Sequence, residues 1–242
     1  MSTFEARLEG RPEVAAGTTA FHFSKPSGFI FEAGQAIDLI LGDPASTDAQ
    51  STRHAFSIVS APTERGLTIA TRMRESRFKR ALAALPIGST VKLDGPFGSF
   101  ASHDDRKRPL VLVAGGIGIT PFMSILRQAA HEASRRPISL IYSNRRPNDA
   151  AFLDELEELA RRSGEFRLLA TMTQMNSSAR PWQGETARIN ETLLNKAAGH
   201  LQAPMHYLAG PSEMVRSVRQ TLTLAGTANC LLYTSPSPRD RG

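Results

Sequence analysis

Cysteine is nearly absent from this 242-residue chain, with Cys230 standing alone. That excludes a disulfide framework and any four-thiolate iron–sulfur centre built within the chain. No stretch of about 18 uninterrupted apolar residues occurs, so the sequence offers no membrane-spanning helix. The start, Met1 to Arg11, is polar and charged and lacks the apolar core of a secretion leader, and a soluble, cytoplasmic protein is expected. Acidic residues are the minority charge, 23 against 29 basic, for a net charge of +6. Basic residues are not interleaved with aromatics and no nucleic-acid motif is present, which argues against a nucleic-acid partner. No metal site is expected.

What the chain does have is a dense signal between Leu110 and Leu126. Leu110 to Ala114 is apolar without period-two alternation, as in a strand covered on both faces. Gly115, Gly116 and Gly118 follow, removing Cβ atoms that would block a ligand. Thr120 suits a helix N-cap and Pro121 the first helical position. A strand, a glycine turn and a helix start in succession present free N–H groups and a positive dipole end to an anion, which favours a dinucleotide pyrophosphate near Gly116 to Thr120.

The rest of the chain divides by period. Before Ser76 short strand-like runs dominate, at Ala20–Phe23, Ala36–Leu41, Phe56–Ser60 and Leu67–Arg72, with Thr90–Leu93 following, all separated by Gly, Pro, Asp and Ser. This half reads as a small antiparallel barrel. One helix starts near Ser76, turns Phe78, Leu82 and Leu85 inward, and stops at Pro86. The second half alternates: strands at 110–114, 138–142, 166–172 and 205–209, helices at 121–133, 149–162, 190–197 and 211–225. That is a parallel α/β pattern. Asp149 is placed to cap the second of those helices, and the polar run His103 to Lys107 reads as a linker. The expected organisation is residues 1–105, residues 106–229, and a tail, 230–242.

Five segments, in order, carry a resemblance: Phe31 to Leu39, Arg53 to Ser60, Gly95 to Phe100, Gly115 to Pro121, and Ala209 to Met214. Together they resemble the ferredoxin–NADP reductase superfamily. The resemblance implies a β plus α/β fold, an N-terminal antiparallel flavin-binding β-barrel followed by a Rossmann-like parallel nucleotide-binding domain. It implies hydride passing from NAD(P)H to a flavin, FAD in preference to FMN, with electrons leaving to an external acceptor. A small iron–sulfur or flavin electron-transfer protein is the implied partner. A flavin-binding electron-transfer or redox-sensing subunit without independent turnover is the competing expectation.

The family holds its flavin with an Arg-x-Tyr-Ser strand, and here Phe56 and Ser57 match the last two positions. The basic position has two candidates: Arg53, three places before Phe56 and delivered by a local bulge, or His54 in the family register. Ser76, opening a helix, resembles the serine that meets the flavin pyrophosphate, with Arg72 and Arg74 as charge partners. Arg77, Lys79 and Arg80 read as a solvated helix face. Gly115, Gly116, Gly118, Thr120 and Pro121 match one nicotinamide-side motif, and Gly210, Pro211 and Met214 the other, where Ala209 replaces a cysteine common in relatives. Ser57 is expected to tune the flavin and Thr120 to sit at the nicotinamide. After the second parallel strand, Ser143, Arg145 and Arg146 offer a hydroxyl and two guanidinium groups, which suit a ribose phosphate and favour NADP(H) over NAD(H).

The tail, Cys230 to Gly242, has neither period nor family counterpart. It back-translates into a transposase mosaic end followed by a sequencing-library adapter, and is expected to be non-native, replacing one further strand and a terminal aromatic.

Overall fold

Charged and apolar residues alternate in β1 (Thr3–Gly10), and the structure, a computed structural model describing residues 3–42, 52–98, 108–228 and 232–236, buries Ala6 and Leu8 there while exposing Glu5, Arg7 and Glu9. The expected linker, 103–107, lies outside the described residues. Two compact units emerge: Met1–Ser102 with Thr120–Gln128, and His103–Ile119 with Ala129–Gly242.

In the first unit β1 is joined by β2 (Glu13–Ala15), β3 (Thr18–Ser24), β4 (Ala36–Ile40), β5 (Arg53–Ser57), β6 (Gly66–Arg72) and β7 (Thr90–Phe97). They form one antiparallel sheet in the order β2-β3-β1-β7-β4-β5, with β6 on β3. An Ile58–Ile69 bridge and the Val59 N–H to Thr68 carbonyl bond at 2.8 Å close the curl between β5 and β6. The expected antiparallel barrel is thus present. Its interior is apolar, built on Leu8, Phe21, Ile37, Leu67, Leu93 and their neighbours. Helix α1 (Arg77–Ala84) sends Phe78 and Leu82 into that core, as its spacing predicts, and Ser76 caps it by accepting from the Lys79 N–H at 3.1 Å. Ser76→Ala should cost about 1 kcal/mol of stability in a denaturant titration; no change would show that the cap is silent.

The second unit carries β8 (Leu110–Gly115), β9 (Ile138–Asn144), β10 (Phe166–Met172), β11 (Met205–Gly210) and β12 (Leu232–Pro236), all parallel, in the order β10-β9-β8-β11-β12. Helix α2 (Thr120–His131) follows β8, α3 (Leu153–Arg162) follows β9, α4 (Glu191–Ala198) lies between β10 and β11, and α5 (Ser212–Leu224) follows β11. Every residue of β8 is buried, as its unbroken apolar run requires. Val111, Val113, Ile141 and Leu208 pack with Leu194, Val215 and Val218 of α4 and α5. Asn190 caps α4, accepting from the Leu193 N–H at 3.0 Å.

Four expectations are corrected. Thr120 is not an N-cap: a 3-10 turn, Gly116–Ile119, runs directly into α2, so Thr120 and Pro121 are its first two residues. Asp149 is not a cap either, because α3 begins at Leu153 with Phe152 in the left-handed region at φ 61°, and Asp149 ends a separate 3-10 turn, Pro147–Asp149. Lys79 belongs to no solvated face; it is 9% exposed and its Nζ donates to the Arg72 carbonyl at 2.7 Å. Finally, the tail contains a strand. Its residues 232–236 pair in parallel with β11, and Tyr233 stacks on Tyr207 at 5.1 Å. An unpaired edge of β11 offers a row of N–H and C=O groups that an extended segment can satisfy whatever its side-chain period. The remainder of the tail lies outside the described residues.

In the first unit, α2 is held by polar contacts with the segment after β5. The Ser124 hydroxyl donates to the buried Ser60 carbonyl at 2.7 Å, the Thr63 hydroxyl donates to Gln128 at 3.0 Å, and Arg127 pairs with Glu64 at 3.6 Å.

Candidate functional site

The carboxyl end of β8 is where the parallel sheet changes direction, since β9 and β10 lie on one side of it and β11 and β12 on the other. Ligands of open α/β sheets bind outside the strand ends at such a switch point. Two turns meet there. A Cβ on Gly115 would fall 2.6 Å from Met214 Sδ and 2.9 Å from Pro211 Cδ. One on Gly118 would overlap the Ala209 carbonyl and lie 2.7 Å from Gly210 N. Gly210, at φ +153°, would in turn press Met214 Cε at 2.8 Å. The glycines at 115, 118 and 210 therefore make room for the protein's own atoms, where sequence reasoning had Gly115 and Gly118 make room for a ligand. Gly116 differs: it is at φ +53° with nothing within 4 Å of a built Cβ. The structure thus brings Gly115, Gly116, Gly118, Gly210, Pro211 and Met214 together as one packed turn pair, followed by the buried Thr120.

At the end of β9, Ser143 is half-buried and Arg145 is exposed, forming no ion pair among the described residues. Arg146 is committed elsewhere. Its Nε and Nη2 donate to the two carboxylate oxygens of Asp149 at 2.8 and 2.9 Å, and Asp149 is only 7% exposed. Between Ser143 and Arg145 sits Asn144, 6% exposed, whose side-chain Oδ1 and Nδ2 have no hydrogen-bond partner among the described residues. A buried amide without a partner costs free energy, and none of the described residues supplies one here. Sequence reasoning missed both Asp149 in this role and Asn144. The signals were an acid three residues after an arginine, and an amide closing an otherwise apolar strand.

In the barrel unit β5 pairs with β4 in unbroken register, Ile37 opposite Phe56 and Ile40 opposite Arg53. No bulge delivers Arg53, which corrects one of the two alternatives: Arg53 and Phe56 lie on opposite faces, and Arg53 pairs with Asp38 at 3.8 Å and with Asp94. His54 shares the face of Phe56 and stacks on it at 4.9 Å and 24°, with Phe78 of α1 at 5.4 Å from His54. Phe56 is 5% exposed within the core, so the accessible ring on this strand is that of the half-buried His54. Ser57 is half-buried opposite Ala36. Ser76, the capped start of α1, the end of β6 at Arg72, and the exposed Arg74 cluster on one loop. Hydroxyl, helix-start N–H groups and guanidinium groups are a fitting donor set for a flavin pyrophosphate. No group of His, Cys, Asp or Glu fit to hold a metal occurs among the described residues, and no helix among them is long and apolar enough to cross a membrane.

Residues 112–220 match the family described as oxidoreductase NAD-binding domain. The chain is 30% identical over 226 residues, 90% of either length, to ferredoxin–NADP reductase B of Sorangium cellulosum (strain So ce56). It is also 30% identical over 191 residues to a terephthalate 1,2-dioxygenase reductase component of a Comamonas species, covering 78% of this chain but 54% of that one. It thus spans about half the length of such oxygenase reductase components. Among solved structures, a ferredoxin NADP+ reductase from Neisseria gonorrhoeae with bound FAD and NADP superimposes with a TM-score of 0.81 at 24% identity, over 98% of this chain and 99% of that one.

Proposed function

Because this chain belongs to the ferredoxin–NADP reductase family of NAD(P)H-dependent flavin oxidoreductases, we propose that it draws hydride from NADPH onto FAD and passes electrons to an external carrier, an iron–sulfur or flavin protein. The observation that carries this reading is the packed turn pair at the switch point between β8 and β11, with Gly116 left open beside it. FAD, when bound, supplies the hydride-accepting ring and the step from two-electron to one-electron transfer. No side-chain nucleophile is needed.

The chain's own residues do the binding and orienting. Ser76, Arg72 and Arg74 hold the flavin pyrophosphate. His54, stacked on the buried Phe56, offers the accessible ring surface of β5, and Ser57 a hydroxyl at the flavin's reactive edge. The Gly116 turn, its N–H groups leading into α2, takes the nucleotide pyrophosphate, and Thr120 meets the nicotinamide. Ser143 and Arg145 receive the ribose phosphate that marks NADP.

The test uses the purified full chain reconstituted with FAD. NADPH should bleach the flavin absorbance and support reduction of a dye acceptor. Bound flavin that neither NADPH nor NADH reduces would overturn the reading in favour of a subunit without turnover. Ser57→Ala should retain flavin but slow its reduction about tenfold or more, as expected for loss of a positioned polar contact. Unchanged stopped-flow bleaching would remove Ser57 from that role.

A further inference from the structure

A buried hydrogen bond ties α2 to the segment after β5, and each of its ends stands close in the chain to a residue expected at the reacting rings. Ser124 Oγ donates to the Ser60 carbonyl at 2.7 Å, and both serines are 0% exposed. Ser60 is itself held, since its hydroxyl accepts from the buried Thr68 N–H at 3.0 Å and Thr68 Oγ1 meets His22 Nδ1 at 2.9 Å. The anchorage thus reaches β3 and β6. A serine inside a helix ordinarily bonds back to its own preceding turn, and alanine would suit the helix better. This hydroxyl leaves α2 for another segment, so its use lies outside the helix. The neighbouring contacts of α2, Thr63 to Gln128 and Glu64 to Arg127, are open to water, which competes for them. Thr120 lies one helical turn before Ser124 and so on the same side, and Ser57 lies three residues before Ser60. All four belong to the same compact unit.

Resting on the hydride transfer proposed above, we propose that Ser124 is a positioning residue for that step: its bond to Ser60 sets Thr120 against Ser57, and so the nicotinamide against the flavin, while touching neither cofactor. Hydride transfer needs its reacting atoms about 3–3.5 Å apart, and a misplacement of about 1 Å costs on the order of a hundredfold in rate. Affinity is set elsewhere. The grip on the two cofactors lies at their pyrophosphates, at Ser76, Arg72 and Arg74 and at the Gly116 turn, so losing the bond separates the rate of transfer from the strength of binding.

The experiment uses the full chain loaded with FAD and reads two things: stopped-flow bleaching by NADPH, and the long-wavelength charge-transfer absorbance given by tetrahydro-NADPH, which cannot surrender hydride. In Ser124→Ala the limiting bleaching rate should fall about tenfold or more, with the half-saturating NADPH concentration within about twofold of the unmodified chain. The charge-transfer band at saturating tetrahydro-NADPH should weaken with it, because ring overlap is lost and binding is not. Thr63→Ala, which removes a water-exposed contact of the same helix, should leave rate and band within about twofold. Ser60→Ala frees the link from Thr68 and should slow bleaching in the same sense but by less, which keeps the test open if alanine at 124 does not fold. An unchanged limiting rate and band in Ser124→Ala would overturn the proposal. So would a loss that appears only as weaker NADPH binding with the saturated band intact, or an equal loss in Thr63→Ala. If NADPH fails to bleach even the unmodified chain, the hydride reading itself falls and takes this proposal with it, a result distinct from the others.

Discussion

Gly118→Ala is expected to destabilise the protein by about 3 kcal/mol, at the upper end of what overpacking costs. Gly116→Ala should cost only about 1 kcal/mol, the penalty of a left-handed alanine. The ranking follows from what each Cβ meets. At 118 the obstacle is backbone, the Ala209 carbonyl and Gly210 N, which cannot turn aside as a side chain can. At 116 the space is empty and only φ +53° resists. Urea titrations of the two variants decide it. Equal losses, or a greater loss at 116, would mean that the two turns are not packed as described. Nucleotide binding supplies a second readout: displacing Ala209 and Gly210 should also weaken NADP+ in the 118 variant, since both turns flank its expected position.

The second large effect concerns His206 on β11, which sequence reasoning did not single out. It is 4% exposed, its Nδ1 has no hydrogen-bond partner among the described residues, and burial pushes its pKa down from 6.5 to about 4, against a smaller raising effect from a backbone hydrogen bond at Pro204. Above pH 6.5 the ring is neutral both folded and unfolded, so it contributes no pH dependence. Between pH 6.5 and 4 the unfolded chain binds a proton that the folded chain refuses, and stability falls as the pH falls. The shift from 6.5 to about 4 corresponds to about 3 kcal/mol lost by pH 4. His206→Leu, neighbouring Leu232 in the β11–β12 register, removes the titrating group. Its unfolding free energy should therefore be flatter across that window than that of the unmodified chain. Parallel profiles would assign the acid sensitivity to carboxylates instead.

How far these features were legible in the sequence depends on whether the signal was local. β10, Phe166–Met172, matches its sequence-based bounds, and the helix start at Ser76 follows from residue type just before an apolar period, whereas Asn190 was read as the first residue of its helix and is its cap. β1 was hidden because only Ala6 and Leu8 of its eight residues are fully buried, so its polar face reads as a loop. β12 was hidden for the opposite reason: its backbone is recruited by the edge of β11, a partner more than 20 residues away in sequence. Thr120 looked like a cap because residue type favours one there, but the preceding Gly116–Ile119 turn is already wound. The site shows the same division. The glycines at 115, 118 and 210 announced a close approach, and the sequence could not say that Met214, Pro211 and Ala209 make it. Arg146 was legible as a cation, while its engagement with Asp149 depended on how the Pro147–Asp149 turn folds back.

β8 has a further consequence. All six of its residues are buried and it is hydrogen-bonded on both sides, to β9 and to β11. Its amides should be among the slowest in the chain to exchange with deuterated solvent, opening only when the whole unit does. The glycine turn is thus tethered to the least yielding part of the sheet. The entropy of ordering it is spent during folding, so a nucleotide bound there as proposed would meet a seat already set, its affinity reflecting contacts made rather than motion lost.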